Sequence, residues 1–478
     1  MDMEQVKLGY STKNIPIPSK REYSSCLIEK TRQFLKNVTW RAYFTLNPKP
    51  TTAKQTFGFN SSENPPRVPE LKDFQDCMID LIQNIEFKNS AKKVGKFQHT
   101  LNNDLKKLKK DTELLVPADK TSNHYKVPPS DYKTLLNQNI QKDYKKAVTE
   151  KEKDITKLEK SIAKSLELAD RIETVPKTEA FVTLKDHKDN FMDKPTCRLI
   201  NPNKCNTGKI SKQILQEINL KLRSKLKLSQ WRNTTEVIDW FKAIPTKDKH
   251  TFIQFDIVDF YPSITKELLD KAIEFAAEHT NISEEYKHII KSTKQNLLYC
   301  EGKPWVKKGD SEVDVTMGSW DGAEVCELVG LYLLFQLLVL KLLLGLYRDD
   351  GLAAFRGTAR EAENIKKKIC KIFSDNGLRI TISTNTKVVN FLDVTFNLSR
   401  DIFSPFMKPN NPLMYVNVQS NHPPLVLKNI PKGINYRLSS ISSNKEVFDN
   451  AKGPYQDALN KAGYDFELHF DPQASKLN

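Results

Sequence analysis

Hydrophobic positions along the chain follow two rhythms, and the switches between them mark its elements. A 3.6-residue rhythm at 71–85, 97–115 and 358–375 predicts amphipathic helices, the last with Ile365, Ile369 and Phe373 inward. A highly charged helix is predicted from about 141 to 171, with Leu158, Ile162, Leu166 and Ile172 on one face. Residues 208–245, 265–279 and 443–462 also read as helical. Alternating runs at 114–127, 180–190, 194–204, 298–316, 378–384 and 388–398 predict short strands and hairpins. Residues 47–72, rich in Pro, Thr, Ser and Asn, read as a linker.

Two stretches break the apolar pattern with acids. In TFIQFDIVDFYPSI (251–264) Asp256 sits among Phe252, Ile253, Phe255 and Ile257, and Asp259 follows. Asp is depleted from strands, and a carboxylate in an apolar strand is costly unless paired or bound to metal. GLYRDDGLAAFR (345–356) reads as a hairpin with Asp349, Asp350 and Gly351 at its tip. Alone, Asp-Asp-Gly is ordinary surface turn chemistry. Together with a strand carboxylate it forms a ligand set for two-metal phosphoryl transfer, since Mg²⁺ takes hard oxygen ligands and offsets their repulsion.

The apolar run at 328–347 is long enough to suggest a membrane span. Gln336, Lys341 and Gly345 interrupt it, so a buried helix to about Leu337 followed by the first hairpin strand is expected, and no membrane.

Composition then narrows the partner. Among 478 residues, 38% are hydrophobic and 28% charged, with room for roughly two to four domains. Lys and Arg total 75 against 59 Asp and Glu, a net charge of +16 and a pI near 9.2, which favours a polyanion such as nucleic acid. The seven cysteines form no CxxC or Cys/His cluster, against a zinc module and for a reducing, intracellular compartment. The start, MDMEQVKLGYSTKN, lacks the apolar core of a secretory signal.

In order, Asp256, Gly318 and the YRDD box at 347–350 resemble motifs A, B and C of the reverse-transcriptase palm. PADK (117–120) and KPNNPLMY…SNHP…IPKGINYRL (408–438) resemble the Penelope-like retroelement group, related to telomerase. The resemblance implies an α+β right-hand polymerase: an N-terminal helical and linker region (1–113), fingers (114–245), a palm of antiparallel sheet packed on helices (246–400) and a helical thumb-like region (401–478).

It implies catalytic Asp256, Asp349 and Asp350, with two Mg²⁺ (or Mn²⁺ in substitution) held by Asp256, the Ile257 carbonyl and Asp349. Lys185 and Arg198 would hold the triphosphate; Phe260, Tyr261 and Gly318 would line the nucleotide site, Tyr261 excluding a ribose 2′-hydroxyl. Phe391, Leu392 and Asp393 would lie on the primer side. The implied activity is RNA-templated DNA synthesis from dNTPs on an RNA template with a DNA primer or RNA/DNA hybrid, from a retroelement and in the nucleus. Two alternatives stay open: a decayed or domesticated nucleic-acid-binding relative, suggested by the monotonous leucines at 333–344, and an RNA-dependent RNA polymerase. Trp320-Asp321-Gly322, where many relatives carry Pro-containing sequence, departs from the family pattern.

Overall fold

The computed structural model describes residues 4–5, 13–18, 20–48, 57–59, 63–85, 95–110, 112–169, 171, 178–188, 190–202, 205–309, 313–408 and 411–475. Ile172 and Lys204, expected on a helix face and a strand end, lie outside them. After strand β1 (Glu4–Gln5), three helices α1 (Lys20–Leu46), α2 (Lys72–Gln83) and α3 (Lys96–Lys110) precede β2 (Leu114–Pro117) and β3 (His124–Val127). The 97–115 helix therefore ends at Lys110, and Leu114 and Leu115 belong to a strand.

Helix α4 (Pro129–Asp143), β4 (Tyr144–Lys146) and α5 (Thr149–Ser165) follow. The single helix expected over 141–171 is thus two helices with a strand between them. Tyr144–Lys146 is captured by a pairing remote in sequence, with Trp305–Lys307, and a local rhythm cannot show that. The pair β5 (Phe181–Leu184) and β6 (Cys197–Ile200) completes this region.

Residues 208–245 also divide, into α6 (Asn206–Leu226) and α7 (Thr234–Ala243). Lys227 takes a left-handed φ of 50°, and Trp231 and Leu346 then exchange the chain's direction: Trp231 N–H donates to Leu346 O at 2.8 Å and Leu346 N–H to Ser229 O at 3.0 Å. Asn233 starts α7 by accepting from the Glu236 N–H.

The central sheet comprises β7 (Thr251–Ile257), β10 (Leu343–Tyr347), β11 (Asp350–Phe355) and β12 (Ile380–Thr386), antiparallel in the order β10-β11-β7-β12. Between β7 and β10 run a helical turn α8 (Phe260–Ser263), α9 (Lys266–His279), α10 (Glu284–Ser292), the hairpin β8 (Leu298–Cys300) and β9 (Lys303–Lys307), and α11 (Gly322–Leu337). Helix α12 (Ala359–Asp375), opened by a Thr358–Glu361 capping box, packs on β12.

Both sheet faces are covered over most of their area. Ile253, Phe255 and Ile257 enter a core shared with α6, α9, α11 and α12, while Phe252, Leu352 and Ala354 pack against Trp231, Phe241, Phe391 and Phe396 on the other side. That second layer comes from α7 and the meander β13 (Val388–Phe391), β14 (Val394–Asn397) and β15 (Ile402–Pro405). Two helices, α13 (Pro424–Ser440) and α14 (Lys445–Lys461), close the chain around Leu438, Phe448, Leu459 and Leu468. The first of these was hidden by its proline-rich sequence; Pro424 sits in its first turn and Pro431 inside it.

Helix α11 is the central helix of the main core. Together with the residues that follow, Gly322–Leu340 is the one described segment long and apolar enough to cross a membrane. Here Val325, Cys326, Leu328, Val329, Leu331 and Leu333 are each fully buried, with α6, α9 and α12 packed against the helix, so most of its apolar surface meets protein, while Phe335, Leu338 and Val339 are exposed. The leucines at 333–344 accordingly divide between helix core and hairpin strand.

Candidate active site

Register places the acids. Residues 252, 254 and 256 share one face of β7, and along that face burial falls from complete at Phe252, through partial at Gln254, to exposed at Asp256. The second layer stops short of the strand's end. Asp256 is therefore not the buried strand carboxylate that its neighbours suggested; the apolar residues beside it point the other way. Directly opposite stands Asp350, and the next pair along the hairpin is Gly351 with Phe255.

The hairpin tip is Arg348–Asp349, not Asp-Gly. Tyr347 pairs with Asp350, and Arg348 adopts φ 55°. Gly351 lies within β11, where a Cβ would fall 2.1 Å from the buried Phe255 ring, so its glycine serves close approach and not the turn. The Ile257 N–H donates to Asp349 O at 2.9 Å, fixing the tip beside the end of β7.

Three carboxylates thus share one spot. Asp256 and Asp350 are hydrogen-bonded to each other; partial loss of hydration at Asp256 and burial at Asp350, together with the charge of Asp349, hold both above the usual aspartate range, Asp350 up to about 7. Among the described residues no three His, Cys, Asp or Glu side chains form a closed metal cage. An open, mutually repelling acid cluster still suits Mg²⁺, which takes one or two carboxylates and completes its shell with water and substrate phosphate. Asp256 and Asp349 are the side chains that would hold it, with Asp350 opposite the first.

A consequence follows for the metal-free protein. In the unfolded chain Asp350 loses its proton in the ordinary aspartate range; in the fold it keeps it until about pH 7. Between those values the folded state binds more protons, so this group's contribution to stability falls as pH rises and then levels off. In EDTA, Asp350→Asn is expected to raise Tm relative to the wild type more at pH 8 than at pH 5, measured by calorimetry. An equal effect at both pH values would refute the shift.

Several cations gather around β5, β6 and the β2–β3 loop. Arg198 pairs in register with Thr183, and the Lys185 N–H donates to Thr196 O at 2.8 Å. Burial first, then the neighbouring Arg198, lowers the Lys185 ammonium pKa, with Asp259 and Asp119 opposing. Lys120 and Lys188 act on Asp256, and Lys120 also on Asp350. Lys408, just after β15, is lowered by burial and then by Lys120, with Asp350 opposing. Lys120 and Lys408 are additions that sequence reasoning did not single out, although both lie in the PADK and KPNNPLMY stretches.

Tyr261 flanks the same spot. It is half-buried, its ring 3.4 Å from where a Gly322 Cβ would lie, and burial pushes its phenol up to about 12 with Asp349 and Arg348 nearby. Phe260, expected at the nucleotide, is instead 2% exposed in the main core, following the left-handed Asp259 (φ 48°), while Tyr261 packs at the edge of the same core and is only partly buried. Gly318 (φ 112°) has a different close neighbour from the expected ligand. A Cβ there would meet the Asn201 carbonyl at 2.4 Å, so this loop is wedged against the end of β6, where the Asn201 N–H donates to Met317 O at 3.2 Å.

The expected primer-side trio is largely occupied by the protein itself. Phe391 is buried edge-on against Trp231, with centroids 5.6 Å apart, and Leu392 (φ 56°) packs on the same cluster. Asp393 accepts from Thr234 Oγ1 at 2.7 Å and from Arg437 Nε at 3.1 Å, tying the β13–β14 turn to α7 and α13. His422, at Ser420 Oγ at 2.9 Å, stands apart from the acids.

No protein-family model and no curated protein sequence matches the chain. Among solved structures, telomerase from Candida albicans, in complex with a TWJ fragment of telomeric RNA, superposes with a TM-score of 0.52 at 12% identity, covering 83% of this chain and 67% of that one. The fold is that of a reverse-transcriptase-like polymerase. Apo telomerase from Candida tropicalis (TM-score 0.48, 13% identity, 82% and 76% covered) is also similar. So is the RNA-dependent RNA polymerase of a human picobirnavirus (0.42, 12%, 97% and 97%).

Proposed function

We propose that the chain synthesises DNA on an RNA template by two-metal nucleotidyl transfer from dNTPs to a primer 3′-hydroxyl. The observation that carries this reading is the strand register that sets Asp350 opposite Asp256, with the Asp349 carbonyl bonded to the Ile257 N–H, facing Lys120 and Lys188. When bound, Mg²⁺ would supply an acidified primer hydroxyl and charge neutralisation at the leaving pyrophosphate. The residues' part is placement: Asp256 and Asp349 fix the cations' position, and Lys185 and Arg198 grip the β- and γ-phosphates, Arg by its fork and Lys as a point charge. The Penelope-like retroelement origin is part of the proposal, supported by PADK and by the 408–438 stretch.

Tyr261 supports the choice of deoxynucleotides, since its ring stands beside Asp349 and the start of α11. Primer extension on an RNA template with Mg²⁺ tests the whole reading. The wild type is expected to use dNTPs and to discriminate against rNTPs, and Tyr261→Ala to raise ribonucleotide incorporation by about tenfold or more. Equal use of rNTPs by the wild type, unaltered in the variant, would point to RNA synthesis instead.

A further inference from the structure

The loop between β2 and β3 reaches the cations around β5 and β6 by a route that the palm motifs do not account for. Ala118 bridges Leu184, and the Asp119 N–H donates to Leu184 O at 2.7 Å, so the loop is laid along the end of β5. Asp119 Oδ1 pairs with Arg198 Nη1 at 3.0 Å, its side chain 8% exposed, while Oδ2 is buried with no hydrogen-bond partner. Two residues on, the loop is pinned again: Asp186 Oδ2 accepts from Thr121 Oγ1 at 2.6 Å, Asn123 Nδ2 at 2.8 Å and the Tyr125 hydroxyl at 3.1 Å. Lys120 lies between these anchors, and it alone of Asp119, Lys120 and Thr121 is exposed.

We propose that Asp119 and Lys120 complete the triphosphate site: Asp119 is the positioning residue that orients Arg198, and Lys120 is a further phosphate contact facing Asp256 and Asp350. The inference rests on the polymerase reading for its ligand class, a nucleoside triphosphate. A carboxylate beside an anion site opposes the anion by charge, so its presence there needs a compensating gain. That gain is geometric. Arg198 stands on a short strand, and one charge-assisted bond to a buried acceptor fixes its fork in place beside the β2–β3 loop. The unpartnered Oδ2 leaves room for a second guanidinium N–H when Arg198 turns onto phosphate. Lys120 needs a pinned loop for the same reason, because a free lysine loses more conformational entropy on binding.

The test measures dGTP affinity of the full chain by titration calorimetry, and steady-state KM and kcat on a primer–template. Asp119→Asn and Lys120→Ala are each expected to weaken dGTP binding about tenfold, raising KM with kcat changed less than about threefold. Lys120→Arg should restore binding, and Lys461→Ala, an exposed charge on α14, should leave it unaltered. Asn is isosteric and Lys120 is exposed, so both variants should fold, which circular dichroism checks. Unchanged or tighter dGTP binding by Asp119→Asn, or an unchanged Kd and KM in Lys120→Ala, would overturn the proposal. Two further outcomes separate it from the polymerase reading. A wild type that binds dGTP through these residues yet extends no primer leaves this site standing and removes the polymerase. A wild type that extends primers, with both variants matching it, does the reverse.

Discussion

Asp349→Ala is expected to abolish primer extension, lowering incorporation by about 10³-fold or more, while nucleic-acid binding survives. The size follows from what the side chain does. Neutralising charge that develops only in the transition state contributes about 10²–10³ per group in preorganised sites, and a metal-holding carboxylate also sets where the cation lies. Binding follows different physics. It is governed by lysine and arginine contacts to phosphate, and removing a negative side chain from the cleft can only favour a polyanion. Asp256→Asn should match Asp349→Ala, whereas Asp350→Asn should retain more activity, since Asp350 acts through its hydrogen bond to Asp256. Gel-shift affinity and single-nucleotide incorporation, measured on the same preparations, separate the two effects. Equal incorporation by wild type and Asp349→Ala would remove Asp349 from the chemistry, and loss of binding in step with activity would indicate a folding defect.

That the acids meet was legible, although the burial argument for Asp256 did not hold, since that residue lies at the open end of its face of β7. A carboxylate inside FIQFDI and a pair after GLY each violate the local pattern, and violations that agree across distant stretches are informative. Register was not legible. Asp-Gly is the strongest short hairpin signal and points to a tip at Asp350-Gly351, two residues later than the real one; only Phe255 lying against Gly351 shows why that glycine belongs inside the strand. The same blindness to partners hid β4, whose pairing lies far along the chain, and misassigned Phe260, whose inward direction depends on a left-handed residue before it. Asp119 was passed over for a different reason. Its role depends on an arginine far along the chain and on burial that no composition records.

Lys294→Met is expected to cost about 3–5 kcal/mol of stability, because it strands a buried carboxylate. Lys294 is wholly buried and pairs with Asp321, itself 1% exposed. Asp321 also accepts from Ser211 Oγ at 2.5 Å and Thr293 Oγ1 at 2.9 Å, so α6, the end of α10 and the start of α11 meet on one side chain. Such a pair contributes little net energy against an apolar substitute, yet breaking it from one side leaves an uncompensated charge. The double variant Lys294→Met/Asp321→Asn should therefore recover most of the loss, since the amide oxygen still accepts from both hydroxyls. Denaturant melts of the two singles and the double give the coupling directly. Additive losses would show that the pair does not act as a unit. The position of Asp321 gives the coupling a functional readout as well: it directly follows the loop at Met317–Trp320 that is wedged against Asn201. The buried ion pair thus anchors this loop from its C-terminal side. Below its melting transition, Lys294→Met should consequently show a raised KM for dNTPs, an effect the double variant reverses together with the stability.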